Sequence, residues 1–201
     1  MTRAAGLPAY EHLPNLPPRV AMVVEATRAA NFPLACRPEV GRLLQLLATH
    51  QRGKIGELGT ACGVGAAWIA SGMPAGTSLV TVELDPERAS IASRVFAGRG
   101  DVTVLNGDWR VAEAYGPFDM LFSDGGPKRE LDAPTLLKPL LRPGGLLVLD
   151  DYTPESAWTP EQRALWRNDS SRTVWLESLD WSASELQVAA DMAVILAVRR
   201  A

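Results

Sequence analysis

The stretch Ile55-Gly56-Glu57-Leu58-Gly59-Thr60-Ala61-Cys62-Gly63-Val64-Gly65 decides how this chain is read. It opens as a buried strand, passes through an acid, and continues into glycines spaced for a tight turn that leads into a helix. A backbone that must turn sharply and lie against a ligand has no room for a Cβ at those points. The stretch therefore reads as a cofactor loop. An acid inside it suits a ligand carrying hydroxyl or ammonium donors, whereas pyrophosphate would be repelled and would prefer bare N–H groups at a helix N-terminus. Glu57 thus disfavours a dinucleotide, and the absence of Gly-x-Gly-x-x-Gly at this turn disfavours a nicotinamide dehydrogenase.

Working outward, short apolar runs alternate with helical patterns. Ser78–Glu83 reads as a second strand ending in an acid, followed by Leu84. It stands about twenty residues past the glycine loop, where an acid commonly takes ribose hydroxyls. Val102-Thr103-Val104-Leu105 is a third strand running into Asn106-Gly107-Asp108-Trp109, and Phe118-Asp119-Met120-Leu121-Phe122-Ser123-Asp124 is a fourth. Arg142-Pro143-Gly144-Gly145 turns into a fifth, Leu146–Leu149, tipped by Asp150-Asp151. Such alternation calls for a mostly parallel sheet with right-handed crossovers and helices on both faces, and for a ligand crevice at the carboxyl ends of the strands. Glu57, Glu83, Asp108, Asp124, Asp150 and Asp151 all fall in or just after those ends.

The pattern Glu-x-Gly-x-x-x-Gly, with the acid-tipped strands that follow it, resembles the class I S-adenosylmethionine-dependent methyltransferases over residues 55 to 151. The resemblance implies a Rossmann-like, seven-stranded, mostly parallel α/β sheet closed by an antiparallel C-terminal strand. It implies S-adenosylmethionine as cofactor, contacted by Glu57, Gly59, Thr60, Ala61 and Gly63 in the loop, by Glu83 at the ribose, by Leu84 next to it in the chain, by Asp108 and Trp109 at the adenine, and by Asp124. The Asn/Asp-Pro-Pro-Tyr segment of nucleobase amino-group methylation is absent after the fourth strand, where Ser123-Asp124-Gly125-Gly126 stands.

Asp124 with the pair Asp150-Asp151 resembles more narrowly the catechol and caffeoyl-CoA O-methyltransferases, in which corresponding acids hold a metal. Methyl transfer needs the acceptor oxygen held in line with the methyl and relieved of its proton, by a side-chain base or by a divalent metal. Oxygen donors without His or Cys suit Mg²⁺, or Mn²⁺ or Ca²⁺, rather than zinc. Two departures stand out. The family's Asp-x-x-Lys, whose lysine takes the acceptor proton, is here Asp124-Gly125-Gly126-Pro127-Lys128, one residue longer; an exposed structural lysine is the default, with Lys128 as base the alternative. Asp151 replaces the commoner asparagine and adds negative charge. Without a cation, three crowded carboxylates would raise at least one pKa and share a proton. The leading expectation is an O-methyltransferase acting on a small, catechol-like acceptor with a divalent cation. A metal-independent small-molecule methyltransferase and a non-catalytic S-adenosylmethionine-binding module are the alternatives.

At 201 residues the chain fits one domain, with an N-terminal arm and cap helices over 1–53 and the core over 54–201. With 47% hydrophobic and 21% charged residues and a net charge of −3, it has no basic excess for a nucleic-acid backbone. No stretch of about 20 apolar residues suggests a membrane span, and prolines break the N-terminus where a secretory signal would need an apolar run. The expectation is a cytoplasmic protein, and the resemblance adds a homodimer as common in the family. Residues 1–16 read as an irregular arm, followed by helices from Arg19 to Ala30 and from Pro38 toward Gly53. Thr159–Trp166 reads as a helix, and Glu185–Ala189 and Met192–Val198 as a closing hairpin.

Among the aromatics, Trp158 and Tyr152 are candidates to stack on an acceptor, while Trp166, Trp175 and Trp181 read mainly as core. His50 reads as a solvated helix end and His12 as part of the arm. Cys62 reads as a small inert side chain under the cofactor.

Overall fold

The computed structural model describes residues 6–166 and 170–201. Strands β1 (Lys54–Leu58), β2 (Ser78–Glu83), β3 (Val102–Asn106), β4 (Phe118–Ser123), β5 (Leu141–Tyr152), β6 (Trp181–Ala189) and β7 (Met192–Arg199) form one seven-stranded sheet in the order β3-β2-β1-β4-β5-β7-β6. The first five are parallel, and β7 inserts antiparallel between β5 and β6. The helices are α1 (Pro18–Ala29), α2 (Pro38–Ala48), α3 (Val64–Gly72), α4 (Pro86–Val95), α5 (Ala133–Leu137), α6 (Pro160–Trp166) and α7 (Ser170–Leu176). No helix among the described residues is long and apolar enough to cross a membrane.

The two-residue period of the strands distributes their side chains between two cores. Met120 and Phe122 of β4 face one side, with Val23, Leu44 and Ile69 of α1–α3; Leu121 faces the other, with Leu137 and Trp175 of α5 and α7, and Phe118 joins it because the strand register shifts between Phe118 and Met120. β1 is buried from Ile55 to Leu58, as a central parallel strand covered on both faces must be. Trp175 and Trp181 are core, packed edge to face. The side chain of Trp166 lies outside the described residues.

Four local features differ from the sequence reading, the first being that β5 begins at Leu141, so the expected turn Arg142–Gly145 lies within the strand. The arm contains a 3-10 turn over Leu7–Tyr10, and Tyr10 is buried, its hydroxyl donating to the Cys36 carbonyl (2.7 Å) and accepting from Trp68 Nε1 (2.9 Å). α7 was not foreseen, because Val174 and Trp175 alone give too short an apolar pattern to signal a helix. β6 begins at Trp181, four residues before the expected Glu185, since pairing with Arg199 and Val198 extends it.

Candidate active site

The glycine loop turns because β1 must feed α3 directly. Gly59 and Gly63 adopt φ of 92° and 105°, and a Cβ on Gly59 would stand 2.7 Å from the Gly125 nitrogen. The loops after β1 and β4 therefore meet backbone to backbone, with Asp124 N (3.0 Å) and Gly125 N (2.7 Å) donating to Leu58 O. This contact brings Asp124 beside the loop. The resulting cavity, about 430 Å³, is lined by Gly59, Ala61 and Glu83 together with Asp124, Lys128, Asp150 and Asp151.

Glu83 is buried at the end of β2. One carboxylate oxygen accepts from Ala61 N (2.7 Å), the other from Asp85 N (2.9 Å) and Arg88 Nη2 (2.8 Å). Glu57 lies beneath the loop, 1% exposed and absent from the cavity wall. Thr81 donates to its carboxyl, a Cβ on Gly65 would run into it, and burial, reinforced by Asp150 and Glu83, raises its pKa to about 8. Glu57 is thus a neutral buried acid that supports the loop from behind at pH 7. Thr60 is likewise buried, sharing a hydrogen bond with Thr81.

The expected adenine contacts stand outside the cavity wall. Asp108 is exposed and caps the turn Trp109–Ala114 through Arg110 N (3.0 Å), Trp109 packs on Gly126 under the Arg110 guanidinium, and Leu84 is exposed.

The sequence neighbours Asp150 and Asp151 both face the cavity. The pairing of β5 with β7 explains it: Leu149 opposes Ile195 and Tyr152 opposes Ala193, so two acids stand against the single residue Val194. This is a bulge, and it re-aims side chains that a regular strand would send to opposite faces. Asp151 takes φ of 65°, with its carbonyl held by Arg129 Nη2 (2.6 Å). Oxygens of Asp124, Asp150 and Asp151 come within 4.8 Å of one another.

Lys128 closes the cluster. Its Nζ stands 2.7 Å from Asp150 Oδ1, 3.3 Å from Asp151 Oδ2 and 3.5 Å from Asp124 Oδ1, and the residue is 6% exposed. The exposed structural lysine expected from the extra loop residue is therefore not what forms. Burial alone would pull its pKa down, but Asp150, Asp124 and Asp151 together outweigh that and hold it above the ordinary lysine value. The ammonium offsets the crowding of the acids only in part. Burial still dominates their ionisation: Asp124 is pushed up to about 6 and Asp150 well above the carboxylate range, each against the pull of Lys128.

The candidate acceptor aromatics are otherwise engaged. Tyr152 is 2% exposed between the Arg129 and Arg172 guanidiniums, and Trp158 donates to Thr153 O (2.9 Å) and stacks with Arg172. Neither lines the cavity. His12 and His50 are both exposed, and Cys62 is buried under the loop. What the sequence reading missed is the segment between α1 and α2, where Phe32, Leu34, Cys36 and Arg37 cover the cavity, with Met192 opposite. Pro33 and Pro38 bracket this segment and mark it as non-helical, but nothing local says what it covers.

Residues 57–152 match the family model described as a methyltransferase domain. The match covers a little under half of the chain, from Glu57 in β1 to Tyr152 at the end of β5. Among curated relatives, a catechol O-methyltransferase of Niastella koreensis is 34% identical over 59% of this chain and 58% of its own length. The chain spans little more than half the length of the curated relatives it matches. Among solved structures, an O-methyltransferase of Bacillus cereus in complex with SAH superposes with a TM-score of 0.73 at 24% identity, covering 98% of this chain and 97% of that one. The O-methyltransferase TomG of Streptomyces achromogenes, in complex with SAM and involved in tomaymycin synthesis, gives 0.71 at 21% identity over all of both chains. The fold is thus common to these proteins and to this chain.

Proposed function

We propose that this protein is an S-adenosylmethionine-dependent O-methyltransferase, moving a methyl group to a hydroxyl of a small, catechol-like acceptor with the help of a divalent cation. The observation that carries the reading is the convergence of Asp124, Asp150 and Asp151 in the same cavity as the glycine loop and Glu83. The names of the relatives support the reaction class.

In this reading Glu83 takes the ribose hydroxyls and the backbone of Gly59 and Ala61 lies along the cofactor. Phe32, Leu34 and Met192 give the cavity an apolar wall beside the acids. The three carboxylates fit a hard divalent cation by donor chemistry: oxygen ligands alone, close together, with one ammonium too little to balance their charge. Mg²⁺ is the expected ion, with Mn²⁺ and Ca²⁺ as substitutes; when bound it would lower the pKa of the acceptor hydroxyl and orient it. Asp124 and Lys128 are the residues proposed to manage the acceptor proton, Lys128 through its positive charge rather than as a base, because an ammonium has no lone pair to offer.

The test is turnover. Full-length protein, S-adenosylmethionine and a panel of vicinal aromatic diols are incubated with Mg²⁺ or with a chelator, and methylated products are read by mass. Methyl transfer that the chelator abolishes supports the full reading. Transfer that survives it supports a metal-independent methyltransferase, the second reading, which the Lys128 ammonium among the acids favours. S-adenosylhomocysteine binding without transfer to any acceptor counts against both and favours a non-catalytic binding module.

A further inference from the structure

The loop after β4 carries one residue more than the Asp-x-x-Lys spacing, and the extra length bears on how a cation could enter. Gly126, at φ of 69°, turns the chain so that Lys128 comes back over the acids. Its ammonium stands within 3.5 Å of an oxygen from each of the three residues that would hold a metal. Those three residues are the whole of the His, Cys, Asp and Glu grouping at this site among the described residues. The lysine is not a bystander on the rim. Trp175 Nε1 donates to its backbone carbonyl (3.1 Å), which fixes the base of the side chain against the core.

We propose that Lys128 is an internal counter-ion that occupies the divalent-cation position of the free protein, so that ammonium and metal compete for Asp124, Asp150 and Asp151. The inference rests on the cation-binding reading above and specifies its regulation. A divalent ion coordinates carboxylate oxygens at about 2.0–2.6 Å, using the lone pairs that the ammonium engages at 2.7–3.5 Å. Two cations sharing these oxygens in a recess of low dielectric would also repel each other strongly. Metal entry therefore requires Lys128 to release the acids, and apparent metal affinity is lowered by the strength of the contacts it gives up. The lysine meanwhile keeps three clustered carboxylates compatible with a folded apo state.

The experiment is calorimetric titration of Mn²⁺ into S-adenosylhomocysteine-loaded, full-length wild type, Lys128→Met and Lys128→Gln. Cofactor binding in each variant serves as the check that the fold is intact, and Asp150→Asn in each background identifies the site. We expect Mn²⁺ to bind the Lys128 variants on the order of ten-fold or more tightly than wild type, with Asp150→Asn abolishing the heat throughout. Equal affinity in wild type and both variants would overturn the counter-ion role while leaving the cation site standing. Absence of binding in all of them would overturn the cation reading itself, and the competition with it. Tighter binding that survives Asp150→Asn would place the metal elsewhere and also overturn the proposal.

Discussion

Asp150 and Asp151 are consecutive in the chain, yet both line one cavity, because the bulge in β5 sets the pair against the single residue Val194 of β7. Asp151 makes this turn in the left-handed region, which aspartate tolerates better than most residues. Conversion of strand alternation into a shared face is what makes a three-carboxylate cluster available.

Asp151→Ala and Asp150→Asn should separate cofactor binding from chemistry. Glu83 and the glycine loop are untouched by either change, so S-adenosylhomocysteine affinity should stay within about two-fold, while the methyl-transfer rate falls by roughly 10²-fold or more. Steady-state kinetics beside calorimetry would check this. A matching loss of cofactor affinity would contradict a role for these acids confined to the chemical step.

Glu83→Gln should weaken S-adenosylhomocysteine binding by about ten-fold or more, the scale of a hydrogen bond to a charged partner. The change also strains the turn itself, since the carboxylate accepts from Ala61 N and Asp85 N. Calorimetry gives the affinity; an unchanged value would remove Glu83 from the ribose.

Glu57 gives a pH dependence of stability with a definite sign. Its pKa rises from 4.5 to about 8 on folding, because burial disfavours the charged form. Between those values the native state holds the proton that the unfolded chain has released, so stability falls as pH rises from about 4.5 to about 8. Glu57→Gln lacks this titration. Urea denaturation should find the variant gaining on wild type by a few kcal/mol, as an order of magnitude, between pH 5 and pH 8. A difference independent of pH would show that Glu57 is ionised in the fold.

Tyr10→Phe tests whether the arm secures the cover of the cavity. The hydroxyl accepts from Trp68 and donates to Cys36 O, all within the core, so its loss leaves two buried groups without that partner. A destabilisation of about 1–3 kcal/mol is expected by denaturant titration. A neutral result would mean that the arm contributes nothing to holding Cys36 in place.

The sequence by itself determined the sheet and the positions along the chain where chemistry could stand. Glycine at 59 and 63, the acid tips Glu83, Asp124 and Asp150-Asp151, and the alternation of strand and helix are local signals, set by backbone sterics and hydrophobic period. These make the strand ends and the methyltransferase resemblance readable without coordinates. Tertiary structure alone decided which acids meet which cation. The burial of Glu57 depends on Thr81 of a neighbouring strand, and the shared face of Asp150 and Asp151 on a register shift against β7. The place of Lys128 depends on a glycine turn folding back over residues 22 and 23 positions further along the chain. The cover formed by Phe32, Leu34, Cys36 and Arg37 is likewise a contact between distant segments. Each is a through-space relationship between residues far apart in sequence, where no periodicity or spacing rule applies, and burial and charge then set the protonation of each group.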